Sequence, residues 1–120
     1  MLSGNRILVV EREFLVALDM QRVLEEAHAS QTVFARSIEE ASHLAGQFGN
    51  YDLAIIEIPP DGDAGWGLVR ELLAAGVAVV ATSASDRVDS RATELGIWTV
   101  PKPFDDDGLV IACRAALKLA

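Results

Sequence analysis

The sequence predicts an α/β domain: a doubly wound, five-stranded parallel sheet with five helices, occupying residues 1–120 as a single unit. Three observations carry this. Five short apolar runs alternate with five stretches of helical spacing. Strict alternation of that kind means parallel strands joined by right-handed crossovers, with helices on both faces. The central run, Leu53-Ala54-Ile55-Ile56, is apolar at every position and closes on a carboxylate, Glu57. An unbroken apolar run is the pattern of a strand buried on both faces. The joints also carry helix caps and stops where the alternation needs them.

In order along the chain, Arg6 to Val10 reads as the first buried strand, ending in Glu11-Arg12-Glu13. The first helix begins at once. Phe14, Ala17, Leu18, Gln21, Leu24, Ala27 and His28 fall on one stripe, with Glu25 and Glu26 outside it. Gln31 to Ala35 is the second strand. Ser37-Ile38-Glu39-Glu40 has the form of a capping box and opens a second helix. Its stripe is Ile38, Ala41, Leu44, Ala45 and Phe48, and Gly49-Asn50 stops it. The central strand runs from Asp52 to Glu57, and a turn-rich loop, Ile58 to Gly65, follows. Within it Asp61-Gly62-Asp63 reads as a turn, because the remaining ligands of a calcium loop are missing.

The third helix is predicted from about Trp66 to Ala75, with Leu68, Val69, Leu72 and Leu73 inward and Gly76 as its stop. Val77 to Ala81 is the fourth strand and runs out through Thr82-Ser83. Ser85 or Asp86 caps the fourth helix, which carries Val88, Ala92 and Leu95 and stops at Gly96. Ile97 to Val100 is the fifth strand, followed by Pro101-Lys102-Pro103-Phe104. Asp105-Asp106-Asp107 puts negative charge at the start of the fifth helix, where the helix dipole favours it. Leu109, Val110, Cys113, Ala116 and Leu117 form its inner face. Strands of this size in this order predict the flavodoxin-like topology, strand order 2-1-3-4-5. The strand ends bearing Glu11-Arg12, Glu57, Thr82 and Lys102 then converge at one edge, where ligands of open α/β sheets sit.

The net charge of -8 argues against nucleic acid and against an anionic membrane surface as direct partners. One cysteine excludes an internal disulfide and fits a reducing compartment. The N-terminus lacks the pattern of a signal peptide, so a cytoplasmic location is expected. His28 and His43 are isolated, with no zinc spacing around them. Cys113 reads as a core residue, and Trp66 and Trp98 as packing or interface residues. Glu13 reads as a first-turn helix residue.

The combined positions resemble the receiver domain of two-component response regulators. Ile-Leu-Val-Val followed by acidic residues matches the family's opening. Asp-Leu-Ala-Ile-Ile followed by a carboxylate matches its central strand. Gly65, eight residues beyond Glu57, matches the glycine of the following loop, Thr82 its hydroxyl residue, and Lys102-Pro103-Phe104 its Lys-Pro-Phe signature. The resemblance spans essentially the whole chain. It implies a phosphoacceptor at the position of Glu57, an acidic Mg²⁺-holding pair at Glu11 and Arg12, and phosphoryl contacts from Thr82 and Lys102. It also implies a non-enzymatic signalling role. The partner would be a protein, histidine kinase-related or downstream, docked on the face made by helix 4, strand 5 and helix 5, or a second copy of the chain.

Two positions depart from that pattern. Glu57 stands where the family carries aspartate, and its side chain reaches roughly 1.3–1.5 Å further. A misplacement of about 1 Å costs on the order of a hundredfold in a positioned reaction, and phosphoryl transfer depends on position and charge neutralisation. Arg12 stands where the family carries a metal-binding aspartate, bringing a fixed positive charge to the ion's place. The expectation is a pseudo-receiver: the fold without phosphotransfer, with no cofactor, and with Mg²⁺ disfavoured although Glu11 and Glu57 could contribute to a site. An ion-paired triad of Glu57, Arg12 and Lys102 would replace the carboxylate, metal and lysine cluster. Read without the resemblance, Glu57 is a solvated strand-end residue, Arg12 a surface arginine, and Thr82 and Ser83 helix-entry turn residues. Two further alternatives stand: a phosphoreceiver with altered acceptor or metal chemistry, and a small flavin- or nucleotide-binding protein of the same fold. The latter is opposed by the acidic loop after strand 1, where a flavin phosphate wants Gly, Ser or Thr. No nucleophile–base pair marks an enzyme.

Overall fold

A computed structural model describes residues 2, 4–59, 63–83 and 86–118, and only the backbone of 86–90. The apolar runs form β1 (Arg6–Val10), β2 (Gln31–Ala35), β3 (Leu53–Glu57), β4 (Ala78–Ser83) and β5 (Trp98–Pro101). They pair in parallel, as the alternation predicts, in the order β2-β1-β3-β4-β5 expected of the flavodoxin-like topology. The helices are α1 (Phe14–Glu26), α2 (Ile38–Ser42), α3 (Asp63–Ala74), α4 (Asp86–Leu95) and α5 (Asp106–Ala116). No helix among the described residues is long and apolar enough to cross a membrane.

The strands split the core into two layers by their period of two. Leu8, Val10, Ala54, Ile56, Val79 and Ala81 face one side, against Ala41, Trp66, Leu68, Val69 and Leu72. Ile7, Val9, Leu53, Ile55 and Val80 face the other, against Met20, Val23, Leu24, Leu109, Ala112 and Cys113. Both faces of β3 are therefore covered, which is why its run carries no polar alternation. Gly65 sits in the first turn of α3 with no room to spare: a Cβ there would lie 3.2 Å from the Ile58 Cδ1 methyl.

Several elements differ from the sequence reading. α1 is rotated. Leu24 and Ala27 of the expected stripe are buried, but Phe14, Leu18 and His28 are exposed, and Met20 and Val23 are buried in their place. The first half of α1 is apolar on more than one side, so periodicity alone allows two stripes. The one that packs, with Val16 at its start, stays apolar to the end of the helix; the other runs through Gln21 and His28. The second helix is shorter than expected. It stops at Ser42, whose hydroxyl donates back to the Ile38 carbonyl, and a 3-10 helix, Ala45–Asn50, follows. Gly46 and Gly49 fall within that segment, and glycine weakens a continuous α-helix. Phe48 remains buried but Ala45 is exposed.

The Ser37 cap is present, its hydroxyl accepting from the Glu40 N–H at 3.0 Å. α3 starts three residues before the expected Trp66, with Asp63 in its first turn and Gly65 and Trp66 buried. β3, β4 and β5 each begin one residue later than read, and β4 extends through Ser83. Leu73, Val110, Ala116 and Leu117 are only partly buried. Ser85, Asp61 and Gly62 lie outside the described residues, as do the side chains of Asp86 and Val88.

Candidate functional site

Parallel register brings the candidate residues to one edge. Val10 pairs with Ile56, Glu57 with Thr82, and Ser83 with Pro101. Glu11 and Lys102 each follow the last residue of a strand, so they leave the sheet beside Glu57. The backbone holds these exits: the Glu11 N–H donates to the Ala35 carbonyl and the Lys102 N–H to the Ser83 carbonyl, both at 3.0 Å. The Lys102–Pro103 peptide bond is cis.

Lys102 is the centre of the cluster. Its ammonium donates to Glu57 Oε2 at 2.8 Å and to Glu11 Oε1 at 3.1 Å, with Glu13 Oε1 at 3.9 Å. The other oxygens are also engaged. Glu57 Oε1 lies 3.4 Å from Arg12 Nε and accepts weakly from the Arg12 backbone N–H at 3.5 Å. Glu11 Oε2 accepts from the Glu13 N–H at 2.9 Å. The Glu11 side chain is 1% exposed and that of Glu57 11%. Two carboxylates so nearly buried persist as ions only with partners of opposite charge. Burial pulls the pKa of Lys102 down, but its hydrogen bonds to Glu57 and Glu11, with their charges, outweigh this and hold it above the ordinary lysine value.

Arg12 combines the two orientations open from sequence. It leans on Glu57, yet its side chain is 65% exposed. Thr82 is buried in register with Glu57. Glu13 lies closer to the cluster than its reading as a first-turn helix residue implied: it is the N-cap of α1, and one of its oxygens falls within 4.8 Å of one oxygen each of Glu11 and Glu57. Its backbone is extended at φ -90° and ψ 115°, but the chain bends at Arg12 and the Glu13 N–H donates to Glu11 Oε2 at 2.9 Å, a local turn that the sequence does not signal. Three carboxylate oxygens so close could also face a divalent cation. Here two of those carboxylates hold the Lys102 ammonium, which an ion on the same oxygens would have to displace.

Beside the cluster opens a cleft of about 700 Å³, lined by Leu15, Val16, Ile58, Pro59, Pro103 and Phe104, with Arg12, Glu13, Asp19, Glu57, Ser83 and Lys102 supplying its polar groups. The apolar walls were not legible in the sequence, because they come from α1 and from two separate loops.

The chain is similar to a response regulator receiver protein from Burkholderia phymatum, 23% identical, with a TM-score of 0.79 over 98% of each chain. It is also similar to a response regulator receiver domain protein from Clostridium thermocellum, 20% identical, with a TM-score of 0.77 over 95% of this chain and 94% of that one. The fold is that of a receiver domain. The receiver domain of the hybrid histidine kinase CckA is 27% identical, with a TM-score of 0.71 over 93% of this chain and 98% of that one. No protein-family model matches the sequence, and no match was found among curated proteins.

Proposed function

We propose that this chain is a pseudo-receiver: a signalling module of the two-component type that acts through protein–protein contacts and does not accept a phosphoryl group. The observation that carries the reading is the engagement of Glu57 on both oxygens, by Lys102 at 2.8 Å and Arg12 at 3.4 Å. A phosphoacceptor needs an oxygen free for in-line attack and a metal to neutralise the transferred group. Glu57 reaches further than aspartate, and Arg12 brings a cation to the metal's place. The network supplies by side chains the charges that a carboxylate, a metal and a lysine would share. It either imitates the phosphorylated state, with about one charge where a phosphorylated group carries nearly two, or locks one conformation. The face of α4, β5 and α5 is the proposed contact surface, supported by Trp98, a large apolar side chain 54% exposed on β5.

A second reading, an atypical phosphoreceiver, is favoured by the closeness of the Glu11, Glu13 and Glu57 oxygens. An amide NMR titration with Mg²⁺, then Mg²⁺ plus beryllofluoride, separates the two. The pseudo-receiver predicts no saturating shifts at millimolar metal. Saturating shifts at Glu11, Glu57 and Thr82 that spread to Lys102 would establish the second reading instead. Glu57→Asp with Arg12→Asp is the revertant expected to regain the response.

A further inference from the structure

We propose that the cleft beside Glu57 binds an amphipathic organic amine, a molecule with an apolar body and one protonated nitrogen. The proposal depends on the pseudo-receiver reading only for its role as a signal; the binding itself rests on the cleft. At about 700 Å³ the cleft falls within the range of small-ligand sites, which are mostly apolar with a few placed polar groups. Leu15, from α1, and Phe104, from the segment before α5, both line it, and Pro59 and Pro103 stiffen the loops in which they lie, since proline restricts its own backbone. This apolar surface adjoins the ion cluster, so a ligand that fills it places its polar end at the cluster's edge.

Charge selects that end. The lining carries three carboxylates, Glu13, Asp19 and Glu57, and two cations, Arg12 and Lys102; Asp19 is paired with Arg22 at 2.8 Å, and Glu57 with both lining cations. Lys102 is already shared between Glu57 and Glu11. Glu13 is the loosely held carboxylate, 3.9 Å from Lys102 and with a side chain 62% exposed. A ligand ammonium against Glu13 meets a carboxylate with capacity to accept, whereas the two cations that an anionic head would need are both committed to Glu57. The net charge of -8 on the whole chain raises the local concentration of cations further.

The test uses the full chain and three probes sharing one body: tryptamine, 3-ethylindole and indole-3-acetate. Amide NMR should show saturable shifts at Leu15, Val16 and Phe104 with tryptamine, and affinities lower by about tenfold or more for the other two. Glu13→Gln should erase most of that preference. Leu15→Trp, which fills the cleft from an exposed position, should abolish the shifts while leaving α5 resonances in place. Equal binding of all three probes would overturn the amine assignment. Absence of shifts at the wall residues, or shifts indifferent to Leu15→Trp, would overturn the site. Adding Mg²⁺ and beryllofluoride to the same sample keeps the two proposals apart: a response at Glu57 together with amine binding removes the pseudo-receiver reading and leaves the cleft standing.

Discussion

Lys102 and Arg12 both pair with Glu57, but their surroundings make them unequal. The Lys102 side chain is 15% exposed and faces a Glu11 that is almost wholly buried. Removing the ammonium leaves a buried carboxylate without its cation, the situation in which a broken ion pair costs most. Lys102→Met is expected to lower stability by about 3 kcal/mol in chemical denaturation, and adding Glu11→Gln should recover part of the loss. Arg12 is mostly in water and its contact is long, so Arg12→Ala should cost under about 1 kcal/mol. If the two substitutions cost the same, Lys102 is not the centre of the network. Glu57 and Lys102 were legible as candidates because each sits at a strand end within a distinctive run. Their mutual distance was not, because 45 residues of chain separate them.

At the scale of the element, α5 shows how local chemistry sets a boundary. Asp105 Oδ1 accepts from the Gly108 N–H at 2.7 Å, capping the helix, and Asp106 and Asp107 follow in the first turn. Asp105→Ala is expected to cost about 1 kcal/mol, read from the denaturation midpoint. A loss of nothing would mean that packing of Leu109 and Cys113 alone holds the helix start. Arg22 adds a tie from α1, reaching Asp106 at 3.0 Å along with Asp19 and Glu26. Caps and stops of this kind involve residues three or four apart, so the sequence displays them openly. The orientation of α1 is of another kind. Phe14, 73% exposed, and Leu15, 78% exposed, are as apolar as the residues that are buried, and only the sheet beneath decides which side turns inward.

For the whole molecule, Arg22, Lys102 and Cys113 bind protons more tightly in the folded state than in the unfolded chain, and the last two set the alkaline pH dependence because arginine stays charged throughout. Burial pushes the Cys113 thiol from 9.0 up to about 12, and Lys102 is held above its ordinary 10.5. Both pKa values are raised. The Lys102 contribution is therefore complete below 10.5 and is lost as pH climbs through the folded value. Cys113 contributes nothing below about pH 9, and between there and about 12 the unfolded thiol ionises while the folded one does not. Stability should fall from about pH 9 upward, measured by urea denaturation across that window. Cys113→Ala should flatten the earlier part of the decline and Lys102→Met the later part. A profile unchanged by both substitutions would show that neither group is linked to folding.

The sequence by itself determined the alternation of strands and helices, the parallel sheet that follows from it, and the strand-end edge where Glu11, Glu57, Thr82 and Lys102 gather. These depend on period and on chain direction, which are written along the chain. Tertiary structure decided the face of α1, the entry of Glu13 into the cluster, the half-inward lean of Arg12, and the existence of the cleft. Each of those depends on how far apart side chains from different elements come to rest. That distance is set by the packing of both layers against the sheet, and no spacing within a single element contains it.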